Sequence, residues 1–236
     1  MPGSGSAERK PLIDRVCVGT FSVVWILMIL RFGPEMISPA SQIGGLVILL
    51  SGIVAGYLLA DLLAGVVHWI ADRFFERDTR VLGPMLIAPF REHHDDALGI
   101  TRHDFFEVTG NNALVTIPVV LLVAMLPASG GSLNHFLLVL GASSTLFLVL
   151  TNQFHRWAHM PSPPRPVRWL HATGLVLTPR RHARHHRGDH DCAYCVTSGW
   201  LNPLLDRLRL FARLERALKS SRPSLSAENR PNQRKI

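Results

Sequence analysis

Ile43-Gly-Gly-Leu-Val-Ile-Leu-Leu-Ser-Gly-Ile-Val-Ala-Gly-Tyr-Leu-Leu-Ala60 is a stretch of 18 residues without a charge, and it runs on past Asp61 into Leu62-Leu-Ala-Gly-Val-Val-His68-Trp-Ile-Ala-Asp72. Helices buried in soluble cores rarely stay uncharged for so long, whereas about 20 apolar residues are what ~30 Å of hydrocarbon requires. The stretch therefore predicts a transmembrane helix whose end protrudes from the bilayer. Its last turns carry His68 and Asp72 at i and i+4, on one helical face.

Three further spans follow from the same criterion: residues 16–32, residues 113–128 with Pro118 as a kink, and residues 136–154. The last continues into His155-Arg-Trp-Ala-His159. Loop charges choose one orientation. Arg9, Lys10 and Arg15 precede the first span, and Arg73, Arg77, Arg80, Arg91 and Arg102 lie between the second and third. Residues 33–42 and 127–134 contain no Lys or Arg, and the chain after Arg156 is densely basic. By the positive-inside rule both termini and the central loop are expected in the cytoplasm. The predicted fold is all-α: an integral membrane protein of about four transmembrane helices under a cytoplasmic, histidine-rich cap. Residues 1–15 are expected to be a cytoplasmic tail, 16–219 one membrane domain, and 220–236 a disordered tail. The start is small and polar and the next apolar run lacks a cleavage site, so no cleavable signal peptide is expected.

The 236 residues suffice for one sizeable domain. Hydrophobic residues make up 47% of them, mean hydropathy is +0.20, net charge is +8 and pI about 10.4. The arginines avoid the apolar runs and no aromatic-studded basic groove is visible, so a membrane surface fits the charge better than nucleic acid. Pro161, Pro163, Pro164 and Pro166 make a rigid connector. Residues 203–219 read as one basic amphipathic helix suited to an anionic membrane face, or as a packing helix. Cys17, Cys192 and Cys195 cannot build a disulfide framework, and Cys192-Ala-Tyr-Cys195 is read as two ordinary thiols facing a reducing compartment.

Twelve histidines stand against three lysines. They cluster as His68, as His93-His94-Asp95-Asp96, as His155 and His159, and as His182, His185 and His186. All of these fall on the predicted cytoplasmic side. His155 and His159 are i and i+4, and His182, His185 and His186 share one face if helical. Adjacent His93 and His94 diverge by about 100° on a helix, so they can serve two metals or one can stand behind the other. Eight imidazoles exceed the four ligands of a structural zinc and fit two ions. HExxH is missing, which argues against a zinc protease, and no Cys/Met set points to copper transport. Nitrogen-rich ligation with occasional carboxylate suits iron that activates O2. A bis-histidine haem would need paired histidines within the spans, but these sit at or beyond the span ends.

Arg91-Glu-His-His-Asp-Asp96 with Ile100-Thr-Arg-His-Asp104 resembles the plasmanylethanolamine desaturase family (the Kua, or lipid desaturase, domain). So do Gly65–Asp72, Asn152–His159, Pro179–His186 and Tyr194–Asn202, a similarity covering roughly residues 61–214. The resemblance implies a membrane di-iron enzyme that uses O2 to convert the 1-O-alkyl ether of a phosphoethanolamine lipid into the vinyl ether of a plasmalogen. It implies His68, Asp72, His93, His94, His155, His159, His182, His185 and His186 as metal ligands, with His103, Asp96 and Asn152 behind them. A plant plastid branch that desaturates an acyl chain is also similar, so an acyl-lipid desaturase or hydroxylase on the same site is the alternative. In that branch the His103 position is not histidine. His171 is out of register with a histidine of animal members, and His135 and His190 are expected to be structural or on the surface. Two electrons must come from a cytochrome b5-type or ferredoxin-type donor, and a bacterial inner membrane is the expected location. A non-catalytic metal-dependent scaffold is the remaining alternative, which loss of several ligands would favour.

Overall fold

The computed structural model describes residues 11–37, 42–80, 83 and 87–220. The expectations for residues 1–10 and for the tail beyond Ser220 lie outside them. The described residues are helical, with no strand among them. Four long helices are apolar enough to cross a membrane: α1 (Pro11–Ile37), α2 (Ile43–Arg73), α4 (Phe105–Ala124) and α5 (Ser132–His159). Between and after them come the short α3 (Ala88–Asp95), α6 (Arg165–Thr173), α7 (Pro179–His182), α8 (Asn202–Arg207) and α9 (Leu210–Ser220).

α5 is the centre of the bundle. α2 packs along one side of it and α4 along another, while α1 lies against α4. The α2–α5 seam is made of small residues: a Cβ added at Gly52 would stand 2.8 Å from Val139 Cγ1, and one at Gly56 2.6 Å from the Leu140 carbonyl oxygen. Such close backbone approach is how helices associate in lipid, where apolar side chains gain little by leaving the hydrocarbon. On the other side Phe21, Met28 and Phe32 of α1 interlock with Ala113 and Val120 of α4 and with Leu138 and Val149 of α5. The Trp25 indole N–H donates to the Ala142 carbonyl (3.1 Å) and ties α1 to α5. Val23, Leu27, Leu30, Val47, Leu50, Val54 and Leu122 remain exposed, as lipid-facing positions should.

All four helices run beyond the expected apolar runs at one or both ends, and for α4 local capping sets the start. α4 starts at Phe105, well before residue 113, since Asp104 accepts from the Glu107 amide (2.9 Å) and Glu107 accepts from the Asp104 amide (2.9 Å). This reciprocal capping box starts the helix outside its hydrophobic stretch. α5 carries its helical hydrogen bonds on through His159. Residues 203–219 do not form the single helix expected. The chain breaks between α8 and α9, where Arg209 takes φ +48. Asp206 holds the end of α8, accepting from the Ala193 amide (3.1 Å) and from Arg184 (3.2 Å), while Phe211 of α9 packs on Trp69 and Tyr194.

Candidate metal centre

The ends of α2 and α5, helix α3 and residues 178–186 meet above the bundle, and every clustered histidine points into that junction. Thr178 starts the last segment by accepting from the Arg181 amide (3.3 Å). α7 ends at His182 and the chain turns, so His182, His185 and His186 do not share one helical face. They approach from one irregular segment instead.

Two groups of ligand atoms result. His93, His155, His159, His182 and His186 form one, and His68, Asp72, His94 and His185 the other, with atoms inside each group within 4.8 Å of one another. In the first, His155 Nε2 stands 3.0 Å from His93 Nε2 and 2.8 Å from His182 Nε2, and His186 Nε2 stands 3.0 and 2.9 Å from the same two. Nitrogens about 2.1 Å from one ion lie roughly 3.0–3.4 Å apart as neighbours in its coordination sphere, so these separations fit ligands around a common point. In the second, Asp72 Oδ2 lies 3.4 Å from His68 Nε2, 3.7 Å from His94 Nε2 and 3.5 Å from His185 Nε2. His94 and His185 bring their Nε2 atoms to 3.0 Å. The groups are neighbours: ring centroids of His94 and His186, and of His185 and His186, are 5.6 Å apart. Adjacent His93 and His94 thus serve different groups.

The donor set fits a cation rather than internal hydrogen bonding. His68 Nε2, His159 Nε2 and both Asp72 oxygens are buried with no hydrogen-bond partner. Orphaned buried acceptors cost about 1–3 kcal/mol each unless something electropositive meets them. The tautomer is set from behind in the second group: His68 Nδ1–H donates to the Tyr194 carbonyl (3.1 Å) and His185 Nδ1–H to the Cys192 carbonyl (2.8 Å). This leaves each Nε2 lone pair facing inward. Burial, reinforced by neighbouring imidazoles, holds His93 down at about 2, His185 at about 3, and His94 and His186 at about 4. All are therefore neutral, as metal ligation requires.

The loop that follows Tyr194 is anchored by Asp61. Its buried carboxylate accepts from the backbone amides of Thr197 (2.9 Å), Ser198 (2.8 Å) and Gly199 (3.1 Å) and from the Ser198 hydroxyl (3.1 Å). Asn202 closes the same loop on both sides of Cys195, accepting from its amide and donating to its carbonyl (2.9 Å each). Cys195 is buried against Gly65, where a Cβ would come 2.7 Å from its Sγ, and burial pushes its thiol up, away from thiolate chemistry. Cys192 is unbridged as well.

The other candidates lie apart from these groups. His103 is exposed and pairs with Glu107 (3.2 Å), and exposed Asp96 pairs with Arg102. Asn152 donates to Val108 and Asn112 and joins α5 to α4. His135 sits in the first turn of α5, at the far end of that helix from His155. His190, expected to be structural or on the surface, stacks on His94 with ring centroids 4.1 Å apart and an interplanar angle of 6°. It does so through a positive φ of 52, a tertiary arrangement that no local spacing signals.

The lipid desaturase domain profile matches residues 57–224, which contain every residue of both groups. The chain is 43% identical over 171 residues to the plasmanylethanolamine desaturase of Myxococcus xanthus, covering 72% of this chain and 60% of that protein. It is 40% identical over 173 residues to mouse plasmanylethanolamine desaturase 1 (70% and 62%). It is 36% identical over 166 residues to the chloroplastic fatty acid desaturase 4 of Arabidopsis thaliana (68% and 49%). The chain thus spans about three fifths of the first two relatives' length. No solved structure matches. A match over most of the chain, enclosing both histidine groups, means that this protein belongs to the lipid desaturase domain family.

Proposed function

We propose that the chain is an O2-dependent lipid desaturase that introduces the vinyl-ether double bond into 1-O-alkyl phosphoethanolamine lipids. The observation carrying this reading is the pair of adjacent inward-facing ligand groups, five imidazoles beside three imidazoles and a carboxylate, at one end of a membrane bundle. Iron bound by the two groups would supply the oxidising power for removing hydrogen from an unactivated C–H bond. The chain's own residues do the rest. The carbonyls of Tyr194 and Cys192 keep His68 and His185 in the ligating tautomer. Asp72 contributes negative charge to one group only, so the two positions are chemically unequal. The spans place the site at their ends, beside the lipid, and packing around it buries His68, His93, His155, His182 and His185. Overall, two hydrogens leave adjacent carbons, and O2 with two donated electrons and two protons ends as two waters. A cytochrome b5-type or ferredoxin-type carrier on the basic side would deliver the electrons. A bacterial inner membrane with the site facing the cytoplasm fits the arginine distribution.

A second reading, desaturation of an acyl chain, is favoured by the plastid relative's 36% identity. Expression in a plasmalogen-deficient cell, with H186A as control, separates the two. Acid-labile vinyl-ether lipids made only by the parent chain support the proposal. A new acyl double bond in place of them supports the second reading. Unchanged lipids in cells holding folded, iron-loaded protein and a working donor exclude both.

A further inference from the structure

A second concave site lies beside the metal groups. A cavity of about 460 Å3 opens between the end of α6 and residues 178–184, lined by His171, Gly174, Thr178, Arg180, Arg181 and Arg184 among others. Its charged lining is of one sign, with three guanidinium groups and no carboxylate. Arg181 is fixed in place: Nη1 donates to the carbonyls of Gly174 (2.9 Å) and Ser198 (3.1 Å). Gly174 adopts φ +68, and a Cβ there would stand 3.1 Å from Arg181 Nη2, so the wall needs glycine on both counts. Arg184 is engaged by Asp206. Arg180 is exposed and makes no ion pair among the described residues. His171 Nε2 is buried without a hydrogen-bond partner. Uncompensated positive charge next to an unpaired imidazole nitrogen is a demand for an oxyanion.

The surroundings of the cavity point to a lipid as the source of the anion. The Gly174–Leu175 wall is tied to one membrane helix, because the Leu175 carbonyl accepts from the Tyr57 hydroxyl of α2, and to the Trp200 indole, which donates to the Gly174 carbonyl (2.8 Å). Leu175 and Trp200, which adjoin the Gly174 wall, are 42% and 40% exposed, and Trp169, two residues before His171 in α6, is 62% exposed. Exposed tryptophans mark the level of lipid headgroups. The same segment that forms the wall carries the ligands, with Arg181 next to His182 and Arg184 next to His185.

We propose that this cavity holds the phosphodiester of a membrane phospholipid, seated on Arg180 and Arg181 with His171 donating to it. The inference rests on the desaturase reading for its lipid, though not for the anion chemistry, which free phosphate shares. A headgroup held here is anchored beside residues 182–186, so the cavity sets which part of the attached chain reaches the ligand groups. These three residues position the lipid and touch no reacting carbon.

The test is equilibrium binding by tryptophan fluorescence to the full chain in detergent. The probes are dihexanoyl-phosphatidylethanolamine, dihexanoylglycerol, glycerophosphoethanolamine and inorganic phosphate. Losing one charge-assisted contact should weaken the phospholipid about tenfold in R180Q. H171F should move the same way, with dihexanoylglycerol binding and metal content unchanged in both variants. Parental affinity for the phospholipid in either variant overturns the proposal. So does inorganic phosphate binding as tightly as the phospholipid, which would make this a free-phosphate site. Because binding is read without turnover, a chain that fails to desaturate can still bind as proposed, and an active desaturase with unaltered R180Q binding overturns the cavity alone.

Discussion

Replacing Asp61 by Asn tests whether a carboxylate inside α2 holds the metal-facing loop. Asp61 Oδ1 accepts three backbone amides, from Thr197, Ser198 and Gly199, and Oδ2 takes the Ser198 hydroxyl. An asparagine oxygen can keep the three amide bonds but loses the charge, and charge-assisted bonds are roughly twice as strong as neutral ones. At about 1 kcal/mol per bond, D61N should loosen the loop by about 3 kcal/mol, or roughly a hundredfold in its opening equilibrium. Asp61→Ala would instead orphan four buried donors at about 1–3 kcal/mol each, a sum comparable to a whole domain's stability, and should not accumulate as folded protein. The assay is amide hydrogen exchange over residues 194–201 in detergent, together with metal per chain. Exchange there should accelerate by about two orders of magnitude while α4 keeps its protection. The metal held by the His68–Asp72–His94–His185 group should be lost first, since the Tyr194 carbonyl behind His68 moves with the loop. Parental exchange at Thr197, Ser198 and Gly199 in D61N would refute the reasoning.

Three further outcomes follow from particular contacts. H94A should bind less metal than the parent chain, whereas H190A, which only stacks on His94, should keep the parent's metal content with activity lowered less than about tenfold; metal loss in H190A would make it a ligand. The metal-free protein should lose thermal stability as pH falls from 7.5 to 5, because unfolded imidazoles protonate below about 6.5 while burial keeps His94 and His186 neutral down to about 4. Their contribution is complete above the unfolded value and drains away toward the folded one, so a melting temperature that is flat or rises on acidification contradicts the picture. G56L should split the α2–α5 seam and lower the yield of folded protein, since even a Cβ would stand 2.6 Å from the Leu140 carbonyl, while G44L, with open space around it, should be silent; equal yields would refute the seam.

Much of the fold is legible locally. An uncharged run such as residues 43–60 has few options besides a membrane span, because a bilayer offers no partners for charge or for unpaired backbone. Helix ends were less legible. α4 begins eight residues before the expected residue 113 because Asp104 and Glu107 cap each other ahead of the apolar stretch. The break at Arg209 was hidden, since only docking against Ala193 gives Asp206 a reason to end α8.

What the sequence determined by itself is the histidine inventory and its gathering at the ends of the spans. Helical spacing pairs His68 with Asp72 and His155 with His159, and loop arginines put all of them at one end. Only the tertiary structure divided that inventory into five imidazoles and three imidazoles plus a carboxylate, sending adjacent His93 and His94 to different groups and separating His185 from His182 and His186. It alone also brought His190 onto His94, tied Tyr194 to His68 across 126 residues, and gathered Arg180, Arg181 and His171 around one cavity. The physical reason is range: periodicity and charge act over a helical turn or a loop, whereas the aim of a lone pair depends on how segments far apart in the chain dock against one another.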